Sequence, residues 1–342
     1  MKKSLLALAV LGAFAGVASA QSSVTLYGTL DVNARYVKND GSARRVSLSQ
    51  DGINSSQLGF KGVEDLGGGL KAGFVLLSGI NTDTGTTNNK FFNRRSTVSL
   101  MGNFGEVRLG RDYTPTFWNN TIFDAFGTNG LGDSSGVKQL FATSTYVRAD
   151  NSIGYFLPSN IGGIYGQAMA ATGEGSASGR YIGARVDYAA GPFDVAAAYA
   201  QQDQATGKYK TANIGGSYDL GVVKLLGYYN QEKLGTAKDS VYSISAVVPM
   251  GQGEIHAGYD RSKLNTTSNK VDKLALGYVY NLSKRTAVYS NVARVSNGSA
   301  SANSLGQVGV GSSGPGNSNS ATAAPTFGGK SVGAEFGVRH FF

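Results

Sequence analysis

The chain has 342 residues, of which 41% are hydrophobic and 15% charged, and its formal net charge is +9. Charged residues are scarcer than the roughly 25% of an average soluble domain, and the 49 glycines are about twice the usual share. There is no cysteine, which excludes disulfide bonds as a source of stability, and the two histidines, His256 and His340, argue against acid–base or metal chemistry.

The first twenty residues have the three parts of a secretory signal peptide. Lys2 and Lys3 form a positive start, residues 4–17 are mostly apolar, and Ala18-Ser19-Ala20 is a small-residue cleavage motif. The apolar stretch is shorter than the ~20 residues that span a membrane as a helix. We therefore predict export, cleavage after Ala20 and a mature chain of residues 21–342. Its net charge is +7, which is +9 less the charges of Lys2 and Lys3.

The mature chain alternates between apolar and polar residues almost from its start. In residues 24–36 the even positions are apolar, small or aromatic, and the odd positions are polar, ending in Arg35. Successive side chains of a strand point to opposite faces, so such a segment is a strand with one apolar and one wet face. The pattern recurs at 182–188, 193–199, 212–220, 223–229, 242–248, 255–260, 274–280 and 331–342. This recurrence predicts an all-β protein.

The connections between the strands alternate in length. Seven short ones rich in Gly, Pro, Asn or Asp lie between eight long ones, which gives sixteen strands. Short turns on one rim and long loops on the other are typical of outer-membrane barrels. Because lipid cannot hydrogen-bond an open sheet edge, a spanning sheet must close on itself. The sequence thus predicts a transmembrane antiparallel 16-stranded β-barrel; the alternative is a large soluble β-sandwich or propeller.

The inner face of this barrel carries basic residues. Sixteen strands enclose more space than side chains fill, so the interior is an aqueous channel. Lysine and arginine lining a pore favour anions, and we expect a weak anion preference. By alternation, the basic residues that point inward include Arg35, Lys61, Arg148 and Arg185.

The long segment 113–142 holds Trp118, the single tryptophan, together with Phe117, Phe123 and Phe126. Rings of this kind pack against protein, so we expect the segment to fold into the lumen and narrow it as a constriction loop, with Trp118 and Phe123 against the wall. A surface loop at a subunit contact is the alternative. The carboxylates that we expect to face the basic wall are those of Asp112, Asp124 and Asp133.

Six stretches, spread from the mature start to the last residue, form a specific set. They are SSVTLYGTLD (22–31), LGFKGVEDLGGGLKAGF (58–74), FFNRRSTVSL (91–100), GNFGEVRLGRDYTP (102–115), RADNSIGY (148–155) and GVRHFF (337–342). Together they resemble the general porins of Gram-negative β-proteobacteria, a family of sixteen-stranded trimeric channels. The resemblance implies a homotrimer, an inward loop after the fifth strand and a basic cluster opposite acidic loop residues.

The resemblance also bears on individual residues. Arg148 matches a family arginine. The family pattern places another at Arg94, whereas alternation sends Arg95 into the lumen, and both are retained as candidates. The terminal Phe342 is similar to the aromatic signature read by the barrel-assembly machinery. Two departures, Gln57 in place of an arginine and Leu77 in place of a carboxylate, imply a weaker or differently placed constriction.

Other classes of function find less support. Glu254, His256 and Asp260 lie on one strand without a marked nucleophile, which argues against an enzyme. Residues 309–314 match a nucleotide-binding glycine pattern but are followed by Pro315 and a Gly/Ser/Asn-rich tract, which indicates a surface loop. A solute-specific channel, for which the aromatic residues around Trp118 are the one hint, and a structural or adhesive barrel remain as alternatives.

The prediction is therefore a general diffusion porin, not an enzyme, without cofactor, metal or nucleic-acid partner. Its expected partners are small hydrophilic solutes and anions, outer-membrane lipid and lipopolysaccharide, and two further copies of itself. Periplasmic chaperones and the barrel-assembly machinery are expected to act on it during biogenesis.

Overall fold

The computed structural model describes residues 23–87, 89–140, 147–159, 161–175, 179–266, 269–305 and 324–342. The predicted signal peptide, residues 1–20, and the glycine motif at 309–314 lie outside the described residues. Within the described ranges the chain forms eighteen strands, one α-helix and one short 3₁₀ turn. No helix in these ranges is long and apolar enough to cross a membrane.

The elements follow one another along the chain with little irregular structure between most of them. The helix α1 is Pro115–Ile122, and the 3₁₀ turn is Ser134–Val137. The strands are β1 Ser23–Asn39, β2 Arg45–Gln50, β3 Gln57–Gly67, β4 Leu70–Asn81, β5 Thr86–Thr87, β6 Arg95–Gly102, β7 Gly105–Tyr113, β8 Arg148–Phe156, β9 Ile164–Ala171, β10 Tyr181–Ala190, β11 Phe193–Gln204, β12 Gly207–Asp219, β13 Lys224–Leu234, β14 Ala237–Met250, β15 Gly253–Leu264, β16 Asn269–Asn281, β17 Thr286–Asn297 and β18 Lys330–Phe341.

The described strands close into a barrel. β1 pairs antiparallel with β18 over eleven residue pairs, from Thr29–Phe341 to Asn39–Ser331. The other edge of β1 pairs with β3 and β2. Sixteen strands form the wall, while β2 and β5 are short additions within the long connections. The predicted 16-stranded antiparallel barrel is thereby confirmed.

The two faces of the wall differ as the alternation predicts. On β10 the side chains of Ile182 and Val186 lie on the outer face and are each 61% exposed, whereas Arg185 and Asp187 lie on the inner face and are buried. Short connections such as 220–223 lie at one rim, and the connection from β7 to β8 begins at the opposite rim. In outer-membrane barrels the short turns are periplasmic and the long loops extracellular.

The connection between β2 and β3 is held against the inner wall by one carboxylate. The side chain of Asp31, on β1, accepts hydrogen bonds from the backbone N–H groups of Gly52 (3.2 Å), Ile53 (2.9 Å) and Asn54 (2.8 Å). It also accepts the hydroxyl hydrogen of Tyr289, on β17. The ring of Tyr289 fills the space beside Gly52, so closely that a methyl group there would overlap it. Asp31 thus joins two strands and a connection near the seam of the barrel.

We expect Tyr289→Phe to lower the free energy of unfolding by about 1–3 kcal/mol, because buried Asp31 would lose a donor that water cannot replace. Unfolding in urea, followed by Trp118 fluorescence in detergent micelles, measures the effect. Tyr188→Phe, on the outer face, is the matched control. Equal urea midpoints for Tyr289→Phe and the unaltered protein would contradict this account.

Candidate functional site

The chain turns into the barrel directly after β7. Thr114 caps α1, since its side-chain oxygen accepts a hydrogen bond from the backbone N–H of Phe117, and Pro115 occupies the first helical turn. Asn119, on α1, donates to Asn213 of β12 (3.0 Å) and accepts from Arg185 of β10 (2.9 Å). Residues 114–140, called the constriction loop below, therefore begin with a helix bound to the inner wall.

Aromatic rings of the constriction loop lie in notches that glycines leave on the inner wall. A Cβ at Gly215 would lie 2.4 Å from the ring of Phe123, and one at Gly277 would lie 3.1 Å from the ring of Phe126. Phe123 is 1% exposed. The loop can approach the strands this closely because these wall positions have no side chain, which agrees with the predicted packing of Phe123.

Buried charges hold the second half of the constriction loop. The Lys138 ammonium lies 2.6 Å from a carboxylate oxygen of Glu232, on β13, and both side chains are almost fully buried. The Asp239 carboxylate, on β14, accepts the backbone N–H of Gln139 (2.7 Å). Lys273, on β16, donates to the backbone carbonyl of Asp133. Removing one member of a buried ion pair leaves an uncompensated charge, so loss of Lys138 or Glu232 alone would destabilise the docked loop.

Asp124 and Asp133 are not placed as expected, because they brace the loop instead of facing the basic wall. Asp124 accepts hydrogen bonds from the backbone of Phe126 (2.9 Å) and Thr128 (3.2 Å) and from the Ser134 hydroxyl (2.6 Å). Asp133 caps the 3₁₀ turn at the backbone N–H of Ser135 (2.7 Å). Burial and the nearby Asp133 raise the pKa of Asp124. A loop buried inside a barrel needs such acceptors for its own N–H groups.

Asp112 does face basic residues, but from the wall. It ends the inward row of β7, beside a register shift between Gly110 and Asp112. One carboxylate oxygen lies 2.7 Å from Nε of Arg95, and the other lies 2.5 Å from Nη1 of Arg108. Arg108 also pairs with Glu106 (2.8 Å). A carboxylate from the strand therefore balances two guanidinium groups.

Arg94 and Arg148 converge on the hydroxyl of Tyr113, at the root of the constriction loop. Nη2 of Arg148 lies 2.6 Å from this oxygen, and Nη2 of Arg94 lies 3.4 Å from it. The Arg148 guanidinium also stacks 4.2 Å from the ring centre. Arg95 points inward opposite Leu77, as the alternation predicts. Arg94 and Arg95 thus both reach the lumen side. Arg95 does so as an inward residue of β6, and Arg94 does so from the position just before that strand, where its side chain extends to Tyr113.

Arg35 anchors the constriction loop through Glu335, whereas Arg185 binds it directly. Arg35 forms an ion pair with Glu335, on β18 (2.8 Å), and the other oxygen of Glu335 accepts the backbone N–H of Leu131 (3.1 Å). Arg185 pairs with Asp187 (2.6 Å) while it donates to Asn119. Each positive charge is therefore balanced by a wall carboxylate.

Lys61 and Phe342 lie apart from the constriction. Lys61 points inward near the short-turn rim, with its ammonium 5.1 Å from the ring centre of Tyr27. Phe342 completes the seam, because its backbone exchanges two hydrogen bonds of 3.1 Å with Gly28.

A chamber of about 400 Å³ opens between α1 and strands β6 to β10. Trp118 lines it with its ring centre 5.5 Å from that of Tyr113. The other polar and aromatic groups of the lining include Arg95, Arg108, Asp112, Tyr165 and Arg185. The sequence reasoning missed Arg108, Tyr113 and Tyr165. The alternation of Glu106, Arg108 and Gly110 along β7 could have found Arg108.

Positive charge exceeds negative charge around the chamber and the loop root. The five guanidinium groups are those of Arg94, Arg95, Arg108, Arg148 and Arg185. The carboxylates of Glu106, Asp112 and Asp187 form ion pairs with three of them, and buried Asp51 interacts electrostatically with Arg94. Within the described part of the chain, no group of three or more His, Asp or Glu side chains is arranged to hold a metal ion. The excess of positive charge around the chamber can attract anions.

Comparisons with known proteins agree with this arrangement. The family model described as Gram-negative porin matches residues 7–300. The chain is 42% identical to outer membrane porin protein 32 of Delftia acidovorans over the full length of both chains. It is 35% identical to an outer membrane porin protein of Bordetella pertussis, over 66% of this chain and 68% of that protein.

A solved structure described as an anion-selective porin from Comamonas acidovorans is also similar. It superposes with a TM-score of 0.83 and 37% sequence identity. The match covers 94% of this chain and 100% of that chain.

We expect Gly215→Ala to displace the constriction loop, because the added methyl group would overlap the Phe123 ring. Overpacking of this kind costs about 1–3 kcal/mol. Single-channel conductance should rise as the lumen widens. Gly216→Ala, on the outer face of the same strand, is the control, since its methyl group meets wall atoms of β11 and not the loop. Unchanged conductance and stability in Gly215→Ala would refute the docking role of this notch.

Proposed function

Because the chain belongs to the Gram-negative porin family, we propose that it forms a water-filled channel for passive diffusion of ions and small hydrophilic solutes, with a weak preference for anions. The chain is a porin of the outer membrane, and porins are channels. The finer assignment, a general diffusion pore without enzymatic activity or a cofactor, is our proposal.

The arginine surplus at the root of the constriction loop carries the anion preference. Arg94 and Arg148 meet at a phenol, while the loop carboxylates Asp124 and Asp133 are engaged in hydrogen bonds within the loop. Positive groups that line a narrow pore lower the electrostatic barrier for anions. The similar Comamonas porin, which is described as anion-selective, supports the same direction.

The two departures from the family pattern explain why we propose a weak preference. Gln57 lies directly opposite Thr29 and Gly79 on the inner face, and Arg94 lies beside Gly79. An arginine at position 57 would therefore have added a guanidinium next to Arg94. Leu77, directly opposite Arg95, adds neither charge nor hydrogen bond.

The remaining parts of the proposal concern export and assembly. They comprise removal of residues 1–20, handling by periplasmic chaperones, recognition of Phe342 by the barrel-assembly machinery, a homotrimer, and contact with outer-membrane lipid and lipopolysaccharide. The trimer is proposed from the resemblance to trimeric porins, with the outer faces of β1, β2 and β18, which carry Leu48 (57% exposed) and Phe336 (61%), as its contact.

Planar-bilayer conductance of the refolded protein, with the reversal potential in a tenfold KCl gradient, tests the proposal. We expect current steps in threes and a potential of anion-selective sign. Arg94→Gln with Arg148→Gln should move the potential toward zero, and Gln57→Arg should move it further in the anion-selective direction. Lys71→Gln with Lys284→Gln removes equal charge at the short-turn rim and is the control.

No conductance from a folded barrel would overturn the channel. A cation-selective sign would overturn the arginine account while leaving the pore in place. Folding of each variant is checked by the heat-dependent shift of the barrel in gel electrophoresis.

A solute-specific channel is the second candidate, and the aromatic chamber favours it. Stacking on Trp118 beside the guanidinium of Arg95 suits a planar aromatic carboxylate. On this view benzoate blocks the chloride current at concentrations where acetate does not, and Trp118→Ala removes the block. Phe91→Ala, a ring that does not line the chamber, is the control. Equal block by both acids would leave general diffusion as the function.

A further inference from the structure

Lysines stand directly opposite one another across neighbouring strands on the outer face of the barrel. Lys210 of β12 is paired with Lys233 of β13, and Lys233 is paired with Lys238 of β14. Lys263 of β15 is paired with Lys270 of β16. These five residues, called the lysine band, run across five adjacent strands.

The lysine band lies at the rim of the barrel where the constriction loop begins, above an apolar surface, although the connections beside it at 205–206 and 235–236 are only two residues long. Down the outer face of β14 the side chains are Lys238, Ser240, Tyr242 and Ile244, with Tyr242 46% and Ile244 64% exposed. Lys233 on β13 stands above Tyr229, whose ring centre lies 5.0 Å from that of Tyr242. The order from ammonium through phenol to aliphatic group follows the order from headgroup to acyl chain in a lipid leaflet.

The charges of the lysine band are only weakly compensated within the described residues, where Asp272 interacts electrostatically with Lys270 but forms its ion pair with Arg261. In the described ranges none of the five ammonium groups forms an ion pair with a carboxylate. The nearest acids on this face have other partners: Asp203 pairs with Arg180 and Lys208, and Asp272 pairs with Arg261. Like charges directly opposite in a sheet are destabilising, so this arrangement favours an external anion.

Three lysines of the lysine band line a concave surface. A cavity of about 410 Å³ is lined by Lys238, Lys263 and Lys270 together with Ser240, Tyr242 and Asn265. Three ammonium groups, a hydroxyl, a phenol and an amide provide donors from several directions, and no carboxylate of the described residues lines the cavity. Phosphate oxygens are the natural acceptors for such a set.

We propose that the lysine band binds the phosphate groups of a phosphorylated glycolipid in the outer leaflet, such as the lipid A part of lipopolysaccharide. The inference rests on the proposed outer-membrane orientation. The proposed ligand is a lipid because the lysine band lies on the lipid-facing side of the wall, where acyl chains fit against the aliphatic groups below it. The band on β12 to β16 is also separate from β1, β2 and β18, where we place the subunit contact.

Lipid retention measured by native mass spectrometry of the full refolded protein tests this. The probes are lipid A with its phosphates and the same lipid after enzymatic dephosphorylation. We expect tighter binding of the phosphorylated form, and about tenfold or greater weakening in Lys233→Gln, Lys263→Gln, Lys270→Gln combined, since each lysine near an anionic surface contributes appreciably. Lys71→Gln, Lys224→Gln, Lys284→Gln combined removes the same charge at the short-turn rim and should bind as the unaltered protein does.

Equal retention of both lipids, or equal loss in both triple variants, would overturn the site. Displacement of lipid A by millimolar inorganic phosphate would show that the lysine band binds a free anion, and would overturn the proposal of a lipid ligand. A change in subunit number in the first triple variant alone would make the band a subunit contact. Bilayer conductance is recorded in parallel. A folded protein that retains lipid A without conducting refutes the channel alone, and one that conducts without retaining lipid A refutes the lipid site alone.

Discussion

Backbone hydrogen bonding between β1 and β18 is the constraint on which the rest of the structure depends. A sheet in lipid has no solvent to satisfy its edge N–H and C=O groups, so the first and last strands must meet. The eleven residue pairs of the seam, extended by the backbone bonds of Phe342 to Gly28, satisfy that requirement. Closure fixes which face is the lumen, and with it the side on which every alternating side chain lies.

Closure around sixteen strands creates a second problem, since the enclosed space is too wide for wall side chains to fill. The constriction loop occupies part of it, and the wall is adapted to receive it. Gly215 and Gly277 leave room for rings, while Glu232, Asp239 and Lys273 hold the loop by charge and hydrogen bonds. Much of the polar inner wall on β12 to β16 therefore serves the loop, while the arginines of β6 to β10 line the chamber beside α1.

The same alternation sorts cations onto two surfaces with different roles. Inside, arginines pair with wall carboxylates or meet at Tyr113, where their planar, multi-donor groups are held in fixed positions. Outside, the five lysines of the lysine band form no ion pair with a carboxylate of the described residues, and their long flexible stems lie where we place the lipid headgroups. Arginine suits a preorganised pore, and lysine suits a mobile, hydrated phosphate layer.

The sequence by itself determined the barrel, its strand number and the inward position of Arg185, because a period of two is a local property and each connection marks a reversal. It left open which of Arg94 and Arg95 enters the lumen, and the register shift near Arg148 interrupts the alternation on β8. It also located the constriction loop, since a tryptophan and three phenylalanines in one long connection require a protein surface. Contacts between distant segments were not accessible in this way. Only the tertiary structure decided that Asp124 and Asp133 brace the loop, that Arg35 acts through Glu335, and that Arg94 reaches Tyr113. These partners are brought together by closure and docking, and nothing in the spacing of residues along one strand records which strand they will meet.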